Sequence, residues 1–177
     1  YPGDAKTYTS YEYYLQTSKN IDTAEESTYT KINLDEIEKV NIIKHISNIY
    51  PKASITWSGN FFYPENGFMS WHTNCNSPGR RIYLSYVKEK NKSIFKYIKN
   101  NRECISSDFV GWNMREFYVT KNEPFWHCVY TSTPRMSLGF RVFDNLKWST
   151  YVPKVYLGEI GRLRTSQRLF TAISFTV

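Results

Sequence analysis

From Pro51 onward no helical period lasts, and that constrains the fold more than any other feature. The stretches "SITWSGNFFY", "FMSWHTN", "RIYLSYVKEK", "KSIFKYIK", "WNMREFYVT", "FWHCVYT" and "RMSLGFRVF" follow one another, punctuated by "PENG", "KNK", "KNEP" and "STP". Short runs rich in aromatic and β-branched residues, bounded by turn clusters, read as strands. After Asp144, "YVPKVYLG" and "RLFTAISFTV" read as strands too. Aromatics make up 18% of the chain, with 15 Tyr and 11 Phe, a composition that suits pleated surfaces. A succession of short strands with few helices points to an all-β sandwich, barrel or jelly roll.

One helix precedes the strands. In "NLDEIEKVNIIKHISNIYP", Asn33 is placed to cap and Glu36 follows it three residues later, as in a capping box. Leu34, Ile37, Val40, Ile43 or Lys44, and Ile46 or Ile49 recur at helical spacing, and Pro51 stops the run. His45, on this helix, is read as a surface residue. Residues 1–31 are rich in Tyr, Thr and Ser without a period and read as a polar N-terminal arm. Residues 32–177 then form a single domain, since 177 residues suit one core better than two.

Charge and cysteine usage narrow the surroundings. The net charge is +7, and residues 80–102 hold eight basic side chains against one acid, Glu89. Such a stretch is either a solvated hairpin face or, with Phe95 and Tyr97 interleaved, a surface for nucleic acid. Cys75, Cys104 and Cys128 are an odd, widely spaced set, which suits a reducing compartment such as the cytoplasm. No run approaches the ~18 apolar residues of a spanning helix, so no membrane span is expected. The start "YPGDAK" lacks Met, as expected of a processed or trimmed product.

The chain has three histidines, and two of them draw attention. In a strand, residues two apart share a face, so His72 and Asn74 of "SWHTN" would point together. His127 lies in another strand, "FWHCVY". Two strand histidines with a third ligand make the facial triad that holds non-haem Fe(II). Beyond His127 come Arg135, Ser137 and Arg141, an R-x5-R pattern on one strand.

This set, with Tyr63 nine residues before His72, resembles the Fe(II)- and 2-oxoglutarate-dependent oxygenase superfamily, in its AlkB-like or prolyl-hydroxylase-like branch. The resemblance spans roughly residues 55–143. It implies a mainly β fold, a double-stranded β-helix or jelly roll with one N-terminal helix packed on it. It implies Fe(II) and 2-oxoglutarate as cofactors, O2 as co-substrate, and hydroxylation of a C–H bond in an unidentified substrate. His72, Asn74 and His127 fall at the metal positions. Arg135 would take the distal carboxylate of 2-oxoglutarate as a bidentate pair, with Ser137 and Tyr63 adding hydrogen bonds. Arg141 would face the substrate or co-substrate edge, and Trp71, Phe125 and Trp126 would line the site.

The sequence departs from the family pattern at Asn74, where a carboxylate is usual. Asn74 ligates through its carbonyl, or the position is vacant for a halide, or the site has lost iron; Glu65 or Asp108 could supply a carboxylate instead. A non-catalytic jelly-roll module descended from such an oxygenase is the alternative, and an unrelated β-sandwich interaction protein a third reading. Two geometric expectations follow. His72 and His127 should lie within ~5 Å of one another, and Arg135 should point into the same cavity as His127 with Ser137 beside it.

Overall fold

The computed structural model describes residues 5–17 and 22–144. Two short helices, α1 (Ala5–Tyr8) and α2 (Tyr11–Thr17), lead into β1 (Thr30–Lys31) and the long helix α3 (Glu36–Ile49). Eight strands follow: β2 (Ala53–Tyr63), β3 (Phe68–His72), β4 (Gly79–Val87), β5 (Ser93–Lys99), β6 (Arg102–Ser107), β7 (Gly111–Val119), β8 (His127–Thr131) and β9 (Arg135–Asp144). The two strands expected after Asp144 lie outside the described residues.

The strand pairing defines the fold. One sheet runs β1-β2-β9-β4-β7 and the other β3-β8-β5-β6, and every pairing within them is antiparallel. Counted from β2, the first strand pairs the eighth, the eighth the third, and the third the sixth. In the facing sheet the second pairs the seventh, the seventh the fourth, and the fourth the fifth. That nested order is the jelly roll, so the chain is a double-stranded β-helix protein.

Both sheets are covered on their outer faces. Ile82 and Leu84 of β4 and Met136, Leu138, Phe140 and Val142 of β9 pack with Leu34, Ile42 and Ile46 from the α3 side. On the opposite layer Trp71, Trp126 and Cys128 pack against Tyr13 and Tyr14 of α2. Between the sheets lies the aromatic interior of Tyr63, Phe95, Phe117, Val119, Phe125 and Val129. A register shift between Trp57 and Gly59 reverses which side chains of β2 face inward. Trp57 therefore joins the α3 side, whereas Phe61 and Tyr63 join the interior.

Several expectations need correction. The helix cap is Asp35 and not Asn33: Asp35 accepts from the Glu38 N–H at 2.7 Å, and Glu38 accepts from the Asp35 N–H at 3.0 Å. Asp35-x-x-Glu38 satisfies the same box two residues later, and the shift leaves Leu34 just outside the helix and in the core. The buried stripe follows accordingly, with Ile42 and Ile46 inside while Ile37 and Val40 are exposed.

The stretch 80–102 is not a hairpin face, because β4 and β5 belong to different sheets. Phe95 is fully buried between the sheets, so it is not available to stack a base, and Arg81 is buried as well. Arg80 instead pairs with Glu116 and lies over the Tyr50 ring. Trp71 and Trp126 meet Tyr14 at tilted and edge-on angles on the outer face and do not line the interior; Phe125 does. The strand β6 went unread because "RECISS" has little apolar alternation. All three cysteines are free. Among the described residues no helix is long and apolar enough to cross a membrane.

Candidate functional site

His72 ends β3 and His127 begins β8, and the two are register partners across that strand pair. Their ring centroids lie 4.1 Å apart, so the expected closeness is met. His72 Nδ1 is 2.8 Å from the Ser70 carbonyl, and His127 Nδ1 is 2.9 Å from the Phe125 carbonyl. A carbonyl oxygen only accepts, so each ring carries its proton on Nδ1 and leaves Nε2 as a lone pair. Both rings are buried. Burial lowers the His72 pKa to about 4, and burial together with the His72 charge lowers that of His127 well below its usual value. Phe95, Phe117 and Phe125 surround His127 and keep it dry.

Asn74 reaches the pair by a different route from the one its spacing implies. The strand stops at His72, and Asn74 adopts a left-handed backbone with φ 57°, so simple two-residue alternation does not apply. Its N–H donates to the Asp22 carbonyl at 2.8 Å, which fixes the turn. The side-chain amide Nδ2 lies 3.3 Å from His127 Nε2 and 3.4 Å from the Tyr83 hydroxyl. A half-turn of this amide exchanges its nitrogen and oxygen, presenting Oδ1 to the same point. Tyr83 has room because Gly139 is its register partner on β9; a methyl on Gly139 would meet the Tyr83 ring at 3.3 Å and Ser58 Oγ at 2.8 Å.

Arg135 faces inward at the start of β9, opposite Tyr63 of β2, and Ser137 faces inward two residues on. Its guanidinium is 1% exposed and lies over the Tyr63 ring at 5.3 Å. Its main partner is Asp108: Nε donates to Oδ2 at 3.2 Å. Arg115 donates to the other oxygen of Asp108 at 2.6 Å, and Ser85 and Ser93 donate at 3.0 and 2.6 Å. Burial alone would raise the Asp108 pKa, but the two arginines hold it below the usual carboxylate value. Arg135 Nη1 remains buried without a hydrogen-bond partner.

Among the proposed substitutes for a third ligand, Asp108 is thus committed to arginines and Glu65 sits exposed in the turn after β2. Among the described residues no three His, Cys, Asp or Glu side chains gather as a metal site. Two interior residues were not foreseen as site components, Arg81 and Arg115. Arg81, counted with the exposed basic stretch 80–102, is buried because both faces of this sheet are covered.

No family model matches the chain, and no curated protein matches it. Among solved structures, a cupin superfamily protein from Desulfitobacterium hafniense is 8% identical with a TM-score of 0.36, covering 68% of this chain and 81% of that one. A 2OG-Fe(II) oxygenase family oxidoreductase from Burkholderia pseudomallei is 12% identical with a TM-score of 0.44, covering 71% and 62%. A prolyl-4-hydroxylase from Pseudomonas putida is 11% identical with a TM-score of 0.43, covering 68% and 72%. TM-scores this low carry no weight for activity, and the fold assignment rests on the strand pairing itself.

Proposed function

We propose that this chain is an oxygenase of the Fe(II)- and 2-oxoglutarate-dependent kind, with His72 and His127 as its metal ligands and Arg135 as its co-substrate anchor. The observation that carries the reading is the pair of buried imidazoles, paired across β3 and β8, each with Nδ1 tied to a carbonyl and Nε2 left to donate. That is the tautomer metal-bound histidines adopt, with the second nitrogen fixing the ring. The donor set suits a divalent ion, since two neutral nitrogens and an amide that can offer Oδ1 stand together. It lacks a carboxylate, so the ion's charge would have to be met by an anionic co-ligand.

Bound Fe(II) would supply the redox chemistry with O2 that a hydroxylation requires. The protein's own residues do the rest. His72 and His127 stand with ring centroids 4.1 Å apart and would each offer Nε2 to the ion, and Phe95, Phe117 and Phe125 pack against His127 and exclude water from it. Asp108 grips the Nε edge of Arg135 and leaves Nη1 to take one oxygen of an incoming carboxylate. Ser137 and Tyr63 flank that arginine on the inward faces of β9 and β2. The substrate stays unnamed.

A non-catalytic jelly-roll module is the second reading, and one observation favours it: Asn74 Nδ2 already engages His127 Nε2. Anaerobic Fe(II) titration with 2-oxoglutarate separates the two. The proposal expects one iron per chain, bound more tightly with 2-oxoglutarate, with binding lost in His127→Ala and tightened in Asn74→Asp. A wild type that takes up no iron, beside an Asn74→Asp variant that does, would leave only the scaffold.

A further inference from the structure

The Asn74 amide nitrogen touches two lone pairs at once. Nδ2 lies 3.3 Å from His127 Nε2 and 3.4 Å from the Tyr83 hydroxyl oxygen. His127 carries its proton on Nδ1, so Nε2 and the Tyr83 oxygen both accept, and the amide hydrogens are the positive charge set between them. Both contacts are longer than the ~2.9–3.0 Å usual for an N–H donor. Tyr83 is held there by its neighbours. Its ring meets Phe117 edge-on at 4.9 Å and stands 6.1 Å from the His127 ring. Gly139, its register partner on β9, leaves the space that the ring fills. Arg81 lies two residues back on the same face of β4, with its buried Nε lacking a hydrogen-bond partner. Its positive charge favours an anionic oxygen on Tyr83.

We infer that Tyr83 is the charged oxygen ligand of the metal site, supplying as phenolate the negative charge that Asn74 cannot. This assignment rests on the oxygenase reading and names the anionic co-ligand which that reading calls for. Turning the Asn74 amide brings Oδ1 beside His127 Nε2 and the Tyr83 oxygen, and a divalent ion then takes the place of the amide hydrogens. The phenol proton leaves to solvent as the metal–oxygen bond forms, so charge and atoms balance. A phenolate is a hard, charged oxygen donor, as a carboxylate is, and it joins two imidazoles in a set that suits iron.

The test uses the full chain, freed of metal and loaded under argon with one equivalent of ferric ion, without 2-oxoglutarate. Argon keeps oxygen chemistry away from the rings. A ferric phenolate absorbs visible light by charge transfer from ring to metal, which imidazole, amide and carboxylate ligands do not give. The wild type should therefore colour on loading. Tyr83→Phe keeps the ring against Gly139 and so keeps the fold. It should lose the colour and bind Fe(II), titrated anaerobically, at least about tenfold more weakly. Tyr97→Phe is the control: this phenol packs on the same interior and is the register partner of His127, yet its loss should leave colour and affinity in place. The inference is overturned if loaded wild type stays colourless, if Tyr83→Phe keeps the colour, or if Tyr83→Phe binds Fe(II) as the wild type does. A colourless protein that still binds iron leaves the oxygenase reading standing, whereas one that binds no iron removes both.

Discussion

Asp108 shows how much one side chain can hold. It is fully buried, accepts from Arg115, Arg135, Ser85 and Ser93, and so joins strands of both sheets. Replacing it with Asn keeps the shape and removes the charge, leaving two buried arginines against a neutral amide. Breaking a buried pair in this way should cost about 3–5 kcal/mol, read as a lower urea midpoint. The histidine pair makes a second prediction, for metal-free protein. Folded His72 stays neutral down to about pH 4, whereas an unfolded imidazole titrates near 6.5. Between these values the unfolded chain binds more protons at this histidine, so its contribution to stability is constant above about pH 7 and is lost as pH drops from 6.5 toward 4. Urea midpoints measured down that range should fall less steeply for His72→Gln than for wild type.

At the scale of elements, the N-terminal helices act as cover. Tyr14 meets Trp71 and Trp126 at 5.3 and 5.4 Å, and Trp71 Nε1 donates to the Ser10 carbonyl at 2.8 Å. Tyr14→Ala should cost about 3 kcal/mol and shift tryptophan emission to the red as water reaches the indoles. Nothing in the period of "YEYYLQT" announces this role. Short helices with polar hydroxyls on both sides give no moment, and their partner surface is set by the sheet they meet. The strands were far more legible. Each of the seven runs read between Pro51 and Asp144 became a strand, because alternation and turn chemistry are local. What sequence could not give was which outer faces would be covered. Arg81 and Phe95 were both misplaced for that reason, since a sheet covered on two sides hides polar and apolar positions alike. The histidine pair was singled out by residue type and spacing and Arg135 by the family resemblance, while Asn74 reaches His127 by a turn that spacing cannot describe.

The whole molecule closes on itself late in the chain. Ala53, at the start of β2, pairs with Asp144, at the end of β9, and β9 completes the larger sheet between β2 and β4. Contacts this distant must wait for loop closure before they contribute. Refolding from urea should therefore run on a scale of about milliseconds to seconds, as in other all-β domains, and stopped-flow fluorescence checks it. A microsecond phase carrying the full amplitude would contradict a transition state that needs β9 docked.

The ionic knot around Asp108 also shapes how this sequence can drift. Losing the acid strands two cations, and losing either arginine strips the acid of one of the two cations that pair with it. Each single step is costly, yet a joint exchange to well-packed apolar residues can be neutral or better. Positions 108 and 115 should therefore change together or not at all among descendants of this chain. Position 135 has a second obligation if its spare nitrogen serves a ligand. A lineage with apolar residues at 108 and 115 but arginine kept at 135 would mark selection on binding and not on folding.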